Sequence, residues 1–149
     1  MFYALLYGLP KSVLDKLQYV QNCAARLVTR TRSSEHITPV LRTLHWLPVR
    51  RQQITYKILL LTYKALNGMA PRYIADLLQP YTPTRQLRSF SKNLLVTPKS
   101  NLKFYGDRSF QVAAPRLWNS LTDDIRLIQN LDVFKSKIKT LLFIDVFIS

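Results

Sequence analysis

The chain is poor in cysteine, glycine, acid and long apolar runs, and each shortage closes off a class of function. One cysteine among 149 residues, Cys23, excludes an internal disulfide and any multi-cysteine zinc site, and it suits a reducing compartment. With 3 glycines there is no glycine-rich phosphate loop; the GDRSF turn at Gly106 has too few to cradle a phosphate. The apolar opening runs only from Met1 to Leu9, with no basic residue ahead of it, which falls short of a signal peptide. The closing LLFIDVFIS is broken by Asp145 and is far too short to span a bilayer. No membrane segment is expected; the compartment is left open, intracellular and either nuclear or cytoplasmic.

The acids number 8 and offer one pair, Asp123-Asp124. Neighbours on a helix point about 100° apart and do not converge. Two-metal chemistry needs ligands from other elements as well, whereas at a helix start both acids are simply well placed on the helix dipole. His36 and His45 match no zinc spacing. A Cys–His nucleophile pair has no orienting third group, and Cys23 reads as a small half-buried residue at the edge of an apolar stripe. No catalytic residue, metal, cofactor or small-molecule substrate is expected.

What is present is apolar mass and positive charge. The chain is 48% hydrophobic, enough to build a core in one domain or in two small ones sharing it. Its 22 Lys+Arg give a net charge of +14, which speaks to partners and not to fold. Between His36 and Gly106 the one acid is Asp76, while Arg42, Arg50, Arg51, Lys57, Lys64, Arg72, Arg85, Arg88, Lys92, Lys99 and Lys103 share that span. A basic central surface points to a polyanion, nucleic acid above all. The plain alternative is a soluble protein with an ordinary basic surface.

The periodicity predicts a mainly α fold, a bundle of about five to six helices. The first runs from Ser12 to about Arg30, with Leu14, Leu17, Val20, Ala24, Leu27 and Val28 as its apolar face. A short second helix is capped by Thr38 with Pro39 in its first turn, and stops before Pro48. A third runs from Pro48 to a left-handed cap at Asn67-Gly68. A fourth, short helix opens at Pro71 and closes before Pro80. A basic loop, YTPTRQLRSFSKN, follows. Leu94–Thr97, Leu102–Tyr105 and Phe110–Ala113 read as short strands of a small β-hairpin or meander near residues 93–113. Helical signals return at Pro115, and a last helix from about Asn130 turns Phe134, Ile138, Leu141 and Leu142 inward, with Lys135, Lys137 and Lys139 outward or flanking. The division is 1–80 for the first helical region and 81–149 for the basic loop, hairpin and C-terminal helices packed on it.

The third helix carries the charge question. Arg50, Lys57 and Lys64 lie seven apart and form one line that drifts about 20° per step, joined by Gln53. The remaining circumference is apolar or aromatic, and Arg51 lies off the line near the N-terminus. Such a helix is a core helix with one wet edge. That edge either borders a polyanion groove or merely carries surface lysines. Tyr56 and Tyr63 beside the line, and Tyr73, Tyr81, Phe90, Phe104 and Tyr105 in the same span, offer stacking platforms for bases. Tyr at helical spacing equally suits a core with its hydroxyl at the rim.

Three stretches form a recognisable set: LLYGLPKSVLDKLQYVQNCAARLVTRTRSSEHITPVLRTLHWLPVRRQQITYKILLLTYKALNGMAPRYI, YGDRSFQVAAPRLWNSL and FKSKIKTLLF. Together they resemble the carboxy-terminal tail of the polyprotein of LINE-type (non-LTR) retrotransposons of the jockey-like kind. The resemblance runs from about Leu5 to Phe143, and LHWLPV and AAPRLWNSL are its most specific motifs. It implies a thumb-like region that follows the reverse transcriptase palm and lies along a template–primer duplex or the element RNA. It implies no catalysis here. The polymerase motif of that family is an aromatic residue, an Ala and two metal-binding Asp, whereas Leu121-Thr122 precede Asp123-Asp124. The endonuclease is absent too, and one Cys cannot make a zinc knuckle. The chain departs from the pattern at MFYA, where a more polar lead-in is usual, and at Thr122, where Pro is more frequent. Both departures suggest a truncated copy that starts at an internal Met.

The function expected is that of a non-catalytic reverse transcriptase fragment. Arg50, Arg51, Lys57, Lys64, Arg85, Arg88 and Lys92 would neutralise the phosphates of RNA or an RNA–DNA duplex. A second reading is an interaction module whose apolar ends and Trp46 or Trp118 dock on the upstream reverse transcriptase core. A third is a truncated copy with no selected function.

Overall fold

The computed structural model of the chain describes residues 7, 9–49, 53–82, 93–99 and 109–148. Among them the fold is mainly α, with seven helices: α1 (Lys11–Thr29), α2 (Ile37–Thr43), α3 (Ile54–Leu66), α4 (Arg72–Ala75), α5 (Phe110–Asn119), α6 (Asp123–Arg126) and α7 (Leu131–Phe147). α3 is the hub and packs on α4, α5 and α7, while α1 packs chiefly on α2. Ile54, Ile58, Leu59, Tyr63 and Ala65 of α3 meet Trp118 of α5 and Phe134, Ile138 and Leu142 of α7 in one core, which Leu14 of α1 joins. The Tyr63 and Phe134 rings stack with centroids 4.2 Å apart, and Trp118 tilts against Phe134 at 5.9 Å. The Tyr63 hydroxyl donates to the Gln129 carbonyl ahead of α7. A large aromatic side chain with its polar tip satisfied is what such a core needs.

Three helices end the same way. Arg30, His45 and Gly68 all take positive φ, at 56°, 53° and 69°. In each case the next amide reaches five residues back: Thr31 to Arg26, Trp46 to Leu41 and Met69 to Lys64. This is the left-handed cap with its 6→1 bond. It matches the expectation at Gly68. At His45 it turns the chain sharply after α2 and lays the imidazole on the Phe143 ring of α7, 5.5 Å between centroids.

The structure corrects several expectations. The helix of residues 110–119 begins at Phe110, so Phe110–Ala113 is not a strand. The short apolar run fits either state; burial of Val112, Ala113, Ala114 and Trp118 decides for helix, and the small Ala113 and Ala114 allow close packing. Among the described residues Leu94–Thr97 forms one isolated antiparallel bridge, between Leu95 and Pro80; Leu102–Tyr105, the expected partner strand, lies outside them. α2 begins at Ile37, and Thr38 makes no capping bond. At the entry to α3 the Gln53 amide bonds the Pro48 carbonyl in a wide turn, and the α-helix proper starts at Ile54.

The largest correction concerns α1. Of its expected apolar face only Leu14 is buried; Leu17, Val20, Leu27 and Val28 are exposed, and Ala25 is the other buried position. The inward side is polar. Gln18 Oε1 accepts the Val49 amide at 2.9 Å, and Gln21 Nε2 donates to the Leu47 carbonyl at 3.0 Å. Pro48 breaks the chain here and leaves those backbone groups without helical partners, and unpaired buried backbone groups are costly. The two glutamines satisfy them, which turns the amide side of α1 inward and the aliphatic side out.

Candidate nucleic-acid interface

α3 carries the basic line because its other side is used by the core. Ile54, Ile58, Leu59, Thr62, Tyr63 and Ala65 are buried. Lys57 is exposed, and Gln53, Tyr56, Leu60 and Lys64 are half-buried around it. Lys57 and Lys64 stand two turns apart, about 10 Å along the axis. The expected line thus exists at its two described lysines. Arg50, Arg51, Arg85, Arg88 and Lys92 lie outside the described residues, as do Phe90, Phe104 and Tyr105.

Sequence reasoning missed a second row. α7 runs antiparallel to α3, since Tyr63 meets Phe134 while Gln53 shares a groove with Lys139 farther along α7. Lys135 and Lys139 are one turn apart on α7 and come up beside the Gln53–Tyr56 edge of α3. Lys135 Nζ donates to Asp132 Oδ1 at 2.9 Å. That hydrogen bond holds its pKa above the ordinary lysine value, with smaller upward help from the charge of Asp132 and from Tyr56, against desolvation that lowers it. Lys135 therefore stays cationic over the whole physiological range. The signal was in the sequence as the i, i+4 spacing of Lys135 and Lys139; what the sequence did not show was which helix they face.

The aromatic platforms sort by burial. Tyr63 is sealed in the core, where burial raises its pKa, and offers no face to a base. Tyr56 is half-buried at the rim; Tyr73 and Tyr81 are exposed. Of the two tryptophans, Trp118 is 1% exposed and its Nε1 donates to the Asn93 carbonyl at 2.7 Å. It is a core residue, which corrects its reading as a docking residue. Trp46 is half-buried and lines a groove.

The acids are accounted for locally. Asp123 and Asp124 open α6, and Asp123 pairs with the buried Arg126, whose Nη1 also caps the Asn119 carbonyl at 3.0 Å. Cys23 is exposed, not half-buried. Among the described residues no three His, Cys, Asp or Glu side chains come together as a metal site, and no helix is long and apolar enough to cross a membrane. The chain matches no protein-family model, and no curated protein or solved structure matches it.

Proposed function

We propose that the chain is a non-catalytic, basic fragment of a LINE-type reverse transcriptase. It binds a template–primer duplex or element RNA through the surface that α3 and α7 share. The observation that carries this reading is the pairing of two lysine rows on two packed helices. Lys57 and Lys64 lie on α3, and Lys135 and Lys139 lie on α7 where it borders the same edge. Rigid core helices hold these charges at fixed spacing, so they meet a phosphate backbone without the ordering cost of a loop. The sequence resemblance, LHWLPV and AAPRLWNSL in particular, supplies the polymerase context.

The chemistry is counterion release. For about five to eight phosphates contacted, log affinity plotted against log salt falls with a slope of about −4 to −7. The test is fluorescence anisotropy of the whole chain with labelled RNA, RNA–DNA hybrid and duplex DNA, between about 50 and 200 mM salt. A slope no steeper than about −1 overturns the reading.

A further inference from the structure

Among the described residues, none covers the apolar face that α1 turns outward. Val13, Leu17, Val20, Ala24 and Leu27 follow a four–three–four–three spacing, the seam of a coiled coil. All are exposed, Val20 at 64% and Leu27 at 82%. Five such positions in register are unlike the scattered apolar residues of an ordinary surface, and contiguous exposed patches mark interaction sites. Beside the seam lies a groove of about 420 Å³ between α1, the turn after α2 and α7, with Val20, Ala24, Trp46, Leu47 and Lys139 in its walls. The His45 cap described above fixes the turn that carries Trp46.

We propose that this face and groove are the docking site for an amphipathic helix of a partner protein, one that is acidic along its flanks. Helix-in-groove recognition reads anchors at this spacing, and here Trp46 and the groove supply the second wall. Charge complementarity sets the partner's flanks. Lys16 borders the seam on α1, and Lys139 stands on the far wall. Among the described residues no carboxylate lines the groove, and the one acid of α1, Asp15, is wound to the far side of the helix. In coiled coils such flanking charges choose the partner. Pairing α1 with the α1 of a second copy brings no acid to Lys16 and adds another +14 of charge, so self-pairing is disfavoured. Apolar residues of α1 carry this inference and do not enter the nucleic-acid reading, although Lys139 borders both surfaces.

Two peptides of about three heptads separate the outcomes, both with Leu at the seam positions and without Trp, one flanked by Glu and the other by Lys. They are titrated into the full chain, with anisotropy of a label on the peptide and Trp46 emission as readouts. Trp118, the other tryptophan, is sealed in the core and reports little. The expected result is binding of the Glu-flanked peptide at least about tenfold tighter than the Lys-flanked one. The double variant Val20→Ser/Leu27→Ser, at exposed positions, loses about tenfold or more with unchanged circular dichroism. Lys16→Glu narrows the preference between peptides. Equal affinity for both peptides, or no binding of either, overturns the proposal. Undiminished binding by the Ser variant also overturns it, by showing mere attraction to a basic surface. Sedimentation of the chain alone as a dimer that the Ser variant dissociates gives the face to a second copy and overturns it as well.

Discussion

The side-chain amide of Asn119 grips the backbone of Leu95 at both of its polar groups: Oδ1 accepts the Leu95 N–H at 3.0 Å and Nδ2 donates to the Leu95 carbonyl at 2.8 Å. The reason lies on the other side of Leu95. It forms an antiparallel bridge with Pro80, flanked by the bonds Tyr81 N–H to Leu94 carbonyl and Val96 N–H to Gln79 carbonyl. In that register the bridged pair exchanges no hydrogen bonds. Proline's missing N–H therefore costs nothing, and the Leu95 groups point away, toward α5. Asn119 stands where a third strand would be.

Asn119→Ala removes both partners from a residue that is 3% exposed. Leaving a buried donor and acceptor unmade costs about 1–3 kcal/mol for each group, so a loss of about 2–6 kcal/mol is expected in urea denaturation. Asn119→Asp keeps the acceptor but sets a carboxylate oxygen against the Leu95 carbonyl at the C-terminal end of α5, and is expected to cost at least as much as Asn119→Ala. A loss under about 0.5 kcal/mol for Asn119→Ala would mean that water replaces the amide.

The left-handed caps give a matched pair of backbone predictions. Gly68 has open space where a Cβ would sit, with nothing within 4 Å. Its φ of 69° still makes Gly68→Ala unfavourable, by about 1 kcal/mol. Arg30 is an exposed L-residue in the same conformation, so Arg30→Gly is expected to raise stability by up to about 1 kcal/mol. Thermal denaturation of both variants checks the signs. A stabilising Gly68→Ala would show that steric room, and not φ, governs this turn.

Tyr63 links the core to pH. Its hydroxyl is buried and donates to the Gln129 carbonyl, and burial raises its pKa above the usual 10.0. The unfolded chain thus loses the Tyr63 proton first. The stability this supplies is complete below the unfolded pKa and drains away as pH rises through the folded one. Tyr63→Phe is expected to cost about 1 kcal/mol at neutral pH and to fall less steeply above pH 10. Parallel alkaline slopes for the two proteins would remove Tyr63 as the cause.

The helices of the core were legible because each has one strong apolar face. α7 is the clearest: Phe134, Ile138 and Leu142 are buried, and Asn130 caps it by accepting from the Asp132 and Val133 amides. The α3 line was legible for the same reason at Lys57 and Lys64. α1 was legible as a helix but not in its orientation. Its aliphatic stripe outweighs its glutamines in any hydrophobic count, yet the unpaired backbone around Pro48 draws the glutamines inward. The start of α5 was lost because Phe110–Ala113 is too short to show a period. Lys135 and Lys139 were visible as outward lysines, but only the antiparallel packing of α7 on α3 brings them beside the basic line.

The two lysine rows make separable predictions about nucleic acid. A lysine that neutralises a phosphate contributes about 0.7 to 0.9 to the salt slope, according to strand form. Lys57→Gln and Lys64→Gln are each expected to reduce the slope by about that much, and to weaken RNA, hybrid and DNA alike. Lys57 is exposed, so its replacement leaves folding stability within about 0.5 kcal/mol. Lys64 is half-buried; Gln keeps part of its aliphatic stem, so affinity is expected to change more than stability. If α7 shares the surface, Lys139→Gln lowers the slope by a like amount and the effects of Lys57→Gln and Lys139→Gln add. A slope that responds to Lys57 but not to Lys139 would confine the contact to α3. A slope indifferent to both would move it off these helices altogether.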